Sequence, residues 1–320
     1  MKIIFSLVLG APALLIVWSA AAQTTYPEKS IRIVIGFPPG SQPDTVARLL
    51  GQKLTEALGK PVVIDNIAGA AGNIAAERVA KAAPDGYTLG LLGQGTIVLN
   101  PSLYTVAFDP VKDFAPVSQF TVSPYLLVVH NAVPAKNVKE LVVLAKAQPG
   151  ALMFASSGSF PHVTAELFKS VAGVDLRHIP YKGGAEAIRD LLGGRVTTMF
   201  SSIVGGLPLA REGKLRALAV TSLNRFPLAT ELPTIAESGY PGFEVASWSG
   251  LLAPARTPST IIGRLHPETV KVLAAPDLRA KLTSLGLEGI GSSPDDFAAA
   301  IKSEIPKWAK VIKDAGIKVD

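Results

Sequence analysis

The sequence contains no cysteine, so the chain can form no disulfide framework and can carry no lipid on a cysteine. After residue 22 no apolar run approaches the length of a membrane span. Lysine and arginine form no runs or stripes with aromatic residues, which argues against a nucleic-acid partner. Their scatter also makes the net charge of +6 weak evidence for an anionic ligand. With 48% hydrophobic and 18% charged residues, the composition is typical of a globular α/β protein.

Residues 1–22 have the organisation of a secretory signal peptide. Lys2 precedes an apolar run, and three alanines at its end form a small-residue cleavage site after Ala22. The alternative is a membrane anchor, because the run approaches the ~20 residues that a span needs. Pro12 and the absence of a basic stop favour cleavage. A cysteine-free exported chain of this size indicates a bacterial periplasm.

Strand and helix patterns alternate along the mature chain. This order predicts a parallel sheet with right-handed crossovers, in two α/β units between which the chain passes more than once. Residues 229–242, with two prolines and no clear periodicity, are predicted to be a crossing region. The predicted strands are 31–37, 61–66, 88–93, 121–130, 152–157, 178–181, 195–200, 215–221 and 244–254. The predicted helices are 45–58, 73–83, 138–147, 162–172, 184–192, 258–274, 276–285 and 294–313.

The loop "FPPGSQPD", residues 37–44, joins the first strand to the first helix and is unusually stiff. Ligands of open α/β sheets bind at such loops, beyond the carboxyl ends of the strands. Prolines fix φ, Gly40 permits close approach of the backbone, and the next helix presents unpaired N–H groups to an anion. A preformed anion cradle is one interpretation. A proline-rich turn with Asp44 as a helix N-cap is the other.

Two further strand-to-helix loops have similar chemistry. "SSGSFPH" offers hydroxyls and backbone N–H groups to a carboxylate, or forms a capping turn. "YKGG" precedes another helix, and its lysine is either a ligand cation or a solvated side chain. The candidate positions are Ser156, Ser157, Gly158, Ser159, His162, Tyr181, Lys182, Gly183 and Gly184.

Patterns of catalytic or cofactor-binding residues are mostly missing. The chain has no G-x-S-x-G nucleophile elbow, and its four histidines show no metal-ligand spacing. "GQGTIV" lacks the third glycine of a dinucleotide fingerprint, and no Walker lysine follows "GAAGN". We therefore expect no metal, no cofactor and no enzymatic activity.

Several blocks of the chain carry a family resemblance. The segment from "YPEKSIRIVIGFPPGSQPD" through "GAAGNIAAERVAKAAPDGYTL" resembles the opening of the Bug (Bordetella uptake gene) or TctC-like extracytoplasmic solute receptors. "NPSLY", "PYKGGAEAIRDLLGGRV", "ELPTIAESGYPGFE" and "GLLAPARTP" resemble later blocks of that family. The resemblance implies a type II periplasmic binding protein fold, with two α/β domains around a ligand cleft. It also implies a receptor for a tripartite tricarboxylate-type transporter, with small carboxylates as ligands.

The resemblance also implies which residues line the ligand site. Ser41 stands where the family most often has a second glycine, and the loop at 156–162 is about two residues shorter than usual. "GAAGN" has Ala71 in place of a glycine. The implied ligand-binding residues are Phe37, Pro38, Pro39, Gly40, Ser41, Asp44, Thr96, Ser156, Ser157, Gly158, His162, Tyr181, Lys182 and Gly183.

The predicted function is that of a monomeric periplasmic receptor. It captures an aliphatic or aromatic mono- or dicarboxylate and delivers it to integral-membrane transporter subunits. The alternatives are a ligand sensor that feeds a signalling partner, and an exported enzyme on the same scaffold. Domain 1 is assigned to residues 26–125 and 250–297, and domain 2 to residues 126–249 and 298–320.

Overall fold

Helices and strands alternate along most of the chain, as the sequence pattern predicts. The computed structural model describes residues 26–157, 159–181, 183–314 and 316–317, and the predicted signal peptide lies outside these described residues. The strands are β1 (Ile31–Ile35), β2 (Val62–Asn66), β3 (Thr88–Gly93), β4 (Phe114–Val129), β5 (Met153–Ser157), β6 (Arg177–Tyr181), β7 (Thr198–Ser202), β8 (Arg216–Val220), β9 (Ala246–Pro254) and β10 (Glu288–Gly289). The α-helices are α1 (Gln42–Leu58), α2 (Asn73–Ala80), α3 (Asn100–Leu103), α4 (Val138–Ala147), α5 (Ser159–Ala172), α6 (Gly184–Leu192), α7 (Ile203–Arg211), α8 (Ser259–Ala274), α9 (Pro276–Ser284) and α10 (Pro294–Asp314).

The strands form one curled sheet in the order β2-β1-β3-β9-β4-β7-β5-β6, and β8 and β10 also pair with β4. The 16-residue strand β4 joins the two halves of this sheet. Its residues 114–124 pair with β9, and its residues 125–129 pair with β7. One half therefore contains β1, β2, β3 and β9, and the other contains β5, β6, β7 and β8.

Only part of the sheet is parallel. β1 is parallel to β2 and β3, and β5 is parallel to β6 and β7. β9 is antiparallel to β3 and β4, and β4 is antiparallel to β7 and β8. The prediction of a wholly parallel sheet is therefore wrong for the strands that join the halves. The chain leaves one half along β4 and returns beside it along β9, which places the two strands in opposite directions.

Several element boundaries differ from the sequence-based ones. α1 begins at Gln42 rather than at Thr45, since Pro43 is tolerated in a first turn, where its missing N–H has no helical partner. α7 is absent from the prediction because two glycines and Pro208 hide its periodicity. After β3, a π-helical turn over Gly95–Leu99 leads into α3, and this segment was also not predicted.

Among the described residues, buried apolar side chains form three clusters. One lies among β1, β3, α1, α8 and α9 and includes Ile33 and Leu50. A second lies among β7, β8, α6 and α7 and includes Leu207. The largest draws on both halves of the sheet and includes Phe297 and Trp308 of α10. No helix in the described ranges is long and apolar enough to span a membrane.

α10 is attached to the sheet through a buried carboxylate. Glu304 accepts hydrogen bonds from Gln94 Nε2 at 2.7 Å and from Trp248 Nε1 at 2.8 Å. Burial raises the pKa of Glu304 above its usual range, although both donors oppose that rise. The carboxylate thus joins α10 to β9 and to the turn after β3.

Candidate functional site

A cleft of about 690 Å³ opens between the two halves of the sheet, at the carboxyl ends of β1, β3, β5 and β7. This is where open α/β sheets bind their ligands. The first half contributes Gly36, Phe37, Pro38, Ala68, Gly69, Ala71, Gly72, Gly93, Gly95, Thr96 and Asn100. The second half contributes Ser157, Ser159, Phe160, Pro161, Gly184, Ala185, Ile188, Met199, Phe200, Ser201, Ser202, Val204 and Gly205. Tyr125 and Ser247 lie where the halves meet.

No lining residue in the described part of the chain has a charged side chain. The polar groups of the lining are instead the hydroxyls of serine, threonine and tyrosine side chains, one asparagine carboxamide and the exposed backbone of several glycines. A full salt bridge inside such a cleft would carry a large desolvation cost, whereas neutral donors do not. The cleft can therefore accept an anion through hydrogen bonds alone.

Four helices begin at the cleft wall. Gly72 is the N-cap of α2, Ser159 and Gly184 are the first residues of α5 and α6, and Ser202 is the N-cap of α7. The caps of α2 and α6 are glycines, so no side chain satisfies the first N–H groups of these helices. The helix dipoles add partial positive charge at the same places. Backbone N–H groups thus supply the donors that the side chains do not.

The proline-rich loop contributes only its first residues to the cleft. Phe37 and Pro38 line it, and the Phe37 side chain is exposed. Pro39 and Gly40 are exposed and lie outside the lining. Gly40 has φ +80°, a conformation that favours glycine, and its N–H donates to Asp44 Oδ2 at 2.9 Å. Gly40 is therefore required by the backbone conformation of the loop, and it does not contact the cleft.

The interpretation of Asp44 as the N-cap of α1 is wrong. Ser41 is the N-cap, and its hydroxyl accepts from the N–H of Asp44. The buried Asp44 carboxylate accepts from Gly40 N, Arg48 Nε at 3.0 Å and Asn66 Nδ2 at 2.9 Å. These bonds, that of Arg48 above all, lower the pKa of Asp44 to about 2. Asp44 ties the loop to α1 and β2 and does not face the cleft.

We expect Asp44→Ala to lower the free energy of unfolding by about 2 kcal/mol at pH 7, because three donors lose a buried acceptor. The effect should exceed the ~1 kcal/mol expected for the N-cap variant Ser41→Ala. The folded pKa lies below the unfolded one, so this stability is present above about pH 4 and is lost as pH falls towards 2. Urea unfolding at pH 7 and pH 3 measures it. Equal losses in Asp44→Ala at both pH values would contradict this role.

The glycine-rich turn after β2 is held against β1 and the π-helical turn. A Cβ on Gly36 would lie 2.7 Å from the Cα of Gly72, so the two backbones touch. Thr96 Oγ1 and Asn100 Nδ2 each donate to the carbonyl of Ala71 at 3.1 Å. The Thr96 hydroxyl also sits where a side chain on Gly72 would have to go. Thr96 lines the cleft and, at the same time, sets the shape of its wall.

The serine-glycine loop divides its side chains between the cleft and the core. Ser157 lines the cleft, whereas Ser156 is buried and shares a 2.7 Å hydrogen bond with His178 Nε2. His162 stacks on His178 at 3.8 Å between ring centroids, with its Nε2 3.7 Å from the Glu166 carboxylate. Burial, assisted by the charge of His162, lowers the pKa of His178 to about 4. Ser156, His162, Glu166 and His178 thus form a cluster of contacts that holds the serine-glycine loop on the side away from the cleft.

The third loop also turns its largest side chain away from the cleft. Tyr181 donates its hydroxyl proton to Asp190 Oδ2 of α6 at 2.9 Å. Gly183 is the N-cap of α6, and the next residues, Gly184 and Ala185, line the cleft. The backbone at the start of α6, rather than the tyrosine, therefore faces the ligand space.

The structure brings some of the sequence-predicted residues together and separates others. Those that line the cleft are Phe37, Pro38, Thr96, Ser157, Ser159 and Gly184. Those outside its lining are Pro39, Gly40, Ser41, Asp44, Ser156, His162, Tyr181 and Gly183. Gly158 and Lys182 lie outside the described residues.

Sequence reasoning missed an aromatic and hydroxyl wall of the cleft. Tyr125 stacks on Phe160 with ring centroids 5.7 Å apart, and both line the cleft. Ser202 ends β7 and Ser247 lies in β9. The two serines that end β7 follow the same strand-to-helix rule as the predicted loops, which would have identified Ser202 had α7 been recognised. Nothing local in the sequence marks Tyr125 or Ser247.

Two α/β halves are joined by long strands around a donor-rich cleft whose described lining has no charged side chain, and these features define the class of periplasmic solute-binding proteins. Within that class the chain belongs to the TctC family: the model of the tripartite tricarboxylate transporter family receptor matches residues 46–317. Proteins of this family are solute receptors. Within the described ranges, no group of three or more histidine, aspartate or glutamate side chains is placed to hold a metal ion.

Similar proteins cover nearly the whole chain. Protein BugT of Bordetella pertussis is 36% identical over 300 residues, which are 92% of this chain and 92% of BugT. The structure titled R. palustris Rpa4515 with adipate is 39% identical and superposes with a TM-score of 0.81, covering 92% of this chain and 99% of that one. MatC from Rhodopseudomonas palustris, with bound malate, is 34% identical with a TM-score of 0.77, covering 90% and 100%.

Proposed function

We propose that the protein is a periplasmic receptor that captures a small mono- or dicarboxylate and delivers it to a tripartite tricarboxylate-type membrane transporter. The observation that carries this proposal is the cleft at whose wall four of the described helices begin and whose described lining has no charged side chain. Helix N-termini bind carboxylates without a fixed countercharge. The adipate and malate bound to two similar proteins are ligands of this chemistry.

In this proposal the ligand binds reversibly, so that the receptor can both capture it and release it to the transporter. Neutral donors bind an anion without the cost of burying a second ion, and preformed helix starts lose little entropy on binding. Binding needs neither a metal nor a cofactor, and the protein performs no chemistry on its ligand. Such reversible capture suits a receptor that passes its ligand to a transporter.

We propose that two domains close on the ligand, residues 26–125 with 250–297 and residues 126–249 with 298–320. The change of partner along β4 supports this division, because β9 pairs up to Pro124 and β7 pairs from Tyr125 onwards. In this division each domain supplies one wall of the cleft.

We further propose that the chain is exported with cleavage after Ala22 and acts as a monomer.

Titration calorimetry of the mature protein with a panel of carboxylates tests the proposed function. We expect at least one to bind and to stabilise the fold by roughly 2.7 kcal/mol at a hundredfold excess over its Kd. Chelator should leave the affinity unchanged, since no metal takes part. Absence of binding across mono- and dicarboxylates, restoration of binding by a divalent cation, or turnover of a bound ligand would each overturn the proposal.

Ser157→Ala should weaken carboxylate binding roughly tenfold or more, because a hydrogen bond to a charged group contributes about 1.5–3 kcal/mol. The melting temperature should hardly change, since this side chain faces the cleft. Ser156→Ala is the matched control: the buried Ser156 hydroxyl bonds to His178, so its loss should lower stability more than affinity. Calorimetry with parallel melting curves compares them. The reverse pattern would place the ligand elsewhere.

A further inference from the structure

A second cavity of about 160 Å³ adjoins the cleft and is here called the side pocket. It lies between β3, β4, β9 and the first turns of α1. The cleft and the side pocket share five lining residues, and the rings of Phe37 and Tyr125 stand at their junction. The five shared residues are Phe37, Gly93, Tyr125, Ser202 and Ser247. A molecule in the cleft can therefore extend directly into the side pocket.

The surface of the side pocket is mostly apolar. Val46 of α1, Leu91 of β3, Trp248 of β9 and Leu287 line it together with the two rings at the junction. The indole N–H of Trp248 is engaged with Glu304 of α10. Carbon atoms therefore provide most of the surface that an occupant would meet.

The polar side chains that line only the side pocket already have partners within the protein. The hydroxyls of Thr121 and Ser249 bond to each other at 2.6 Å. Ser123 donates to the carbonyl oxygen of Gly286 at 2.7 Å, and Gln42 Nε2 donates to that of Leu285 at 2.8 Å. A second carboxylate placed here would lose its hydration for few available donors, which is costly. An apolar group has no hydrogen bonds to water to give up, so it would enter the side pocket without this cost.

The volume agrees with that chemistry. An apolar protein cavity of about 150 Å³ is large enough to bind benzene. We propose that the side pocket receives the apolar tail, an alkyl chain of about six carbons or a phenyl group, of a monocarboxylate whose carboxylate is bound in the cleft. This inference rests on the proposed function and narrows its ligand to carboxylates that have an apolar tail.

Calorimetric titration with unbranched alkanoates from butanoate to nonanoate, and with adipate, tests the proposal. Affinity should rise about fourfold per methylene, the equivalent of ~0.8 kcal/mol, until the side pocket is full. Hexanoate should bind more tightly than adipate, which has the same number of carbons but a second charge. Affinity that is independent of chain length, or adipate binding more tightly than hexanoate, would overturn the side-pocket proposal. Failure of every carboxylate to bind would overturn the proposed function as well.

Two substitutions locate the effect within the side pocket. Ser249→Leu fills the side pocket and should flatten the dependence of affinity on chain length. Val46→Ala enlarges it and should shift the optimum to a longer chain, which keeps the test decisive if Ser249→Leu fails to fold. Ser303→Leu, on the exposed surface of α10, is the matched control and should retain the wild-type dependence. An unaltered dependence in both pocket variants would place the tail elsewhere.

Discussion

Gly184→Leu is expected to weaken carboxylate binding by about a hundredfold or more while leaving the melting temperature nearly unchanged. Gly184 is the first residue of α6 and lines the cleft. A Cβ at this position would meet only Ser157 Oγ, at 3.6 Å, and no positive φ demands a glycine. The leucine side chain would therefore extend into the cleft, where we propose that the ligand binds, without straining the fold. Calorimetric titration with the tightest carboxylate of the panel measures the loss.

Gly263→Leu provides the control for this prediction. Gly263 lies in α8 with open space around its Cβ position and is not among the residues that line the cleft. Leucine is also the better helix former, so neither stability nor affinity should fall. Wild-type affinity in Gly184→Leu, with the variant folded, would show that the ligand does not occupy the space beside α6.

Gly250→Ala is expected to lower the free energy of unfolding by about 3 kcal/mol, a large effect for one methyl group. Its Cβ would lie 2.1 Å from Cζ of Phe297, a fully buried ring of α10. β9 is hydrogen-bonded on both sides, to β3 and to β4, so the backbone at Gly250 cannot shift away from the Phe297 ring without breaking these pairings. Gly93→Ala in the neighbouring strand is the control, because its nearest contact would be 3.8 Å away. Urea unfolding of both variants gives the comparison.

A double-mutant cycle separates this clash from a general effect on β9. Phe297→Ala alone should cost about 3–5 kcal/mol through the cavity that it leaves. In the double variant the added methyl group has room, so its cost should nearly vanish. We expect the two substitutions to be non-additive by roughly 2–3 kcal/mol. Additive losses would mean that Gly250 is required for another reason.

The sequence pattern predicts the fold well wherever a local period marks a buried face. α4 and α6 have the predicted bounds, because their apolar residues recur regularly between clear capping residues. α7 escaped prediction because Gly205, Gly206 and Pro208 interrupt that period, and tertiary packing overrides their low helix propensity. The direction of β4 and β9 was also hidden, since period and composition do not encode which way a neighbouring strand runs.

The site was predictable to the level of loops but not of side chains. All three predicted loops reach the cleft, because the carboxyl ends of parallel strands meet at one edge of each half. Within the serine-glycine loop, the sequence does not say which of two adjacent serines faces the cleft. Ser156 turns inward because His178 lies below it at hydrogen-bond distance, and that histidine is 22 positions away in the chain. The sequence likewise does not show that the Asp44 carboxylate accepts hydrogen bonds from Arg48 and Asn66 and lies outside the lining of the cleft.

By itself, the sequence determined the α/β class, the family and the three strand-to-helix loops, since these depend on local pattern and on motifs in a set order. Only the tertiary structure decided how the halves join, which hydroxyls face the cleft and that a side pocket adjoins it. Each of these depends on contacts between residues far apart in the chain, as where Tyr125 of β4 meets Phe160 of α5. Such contacts arise when two surfaces pack, and the free energy of packing depends on shape complementarity that no local pattern records.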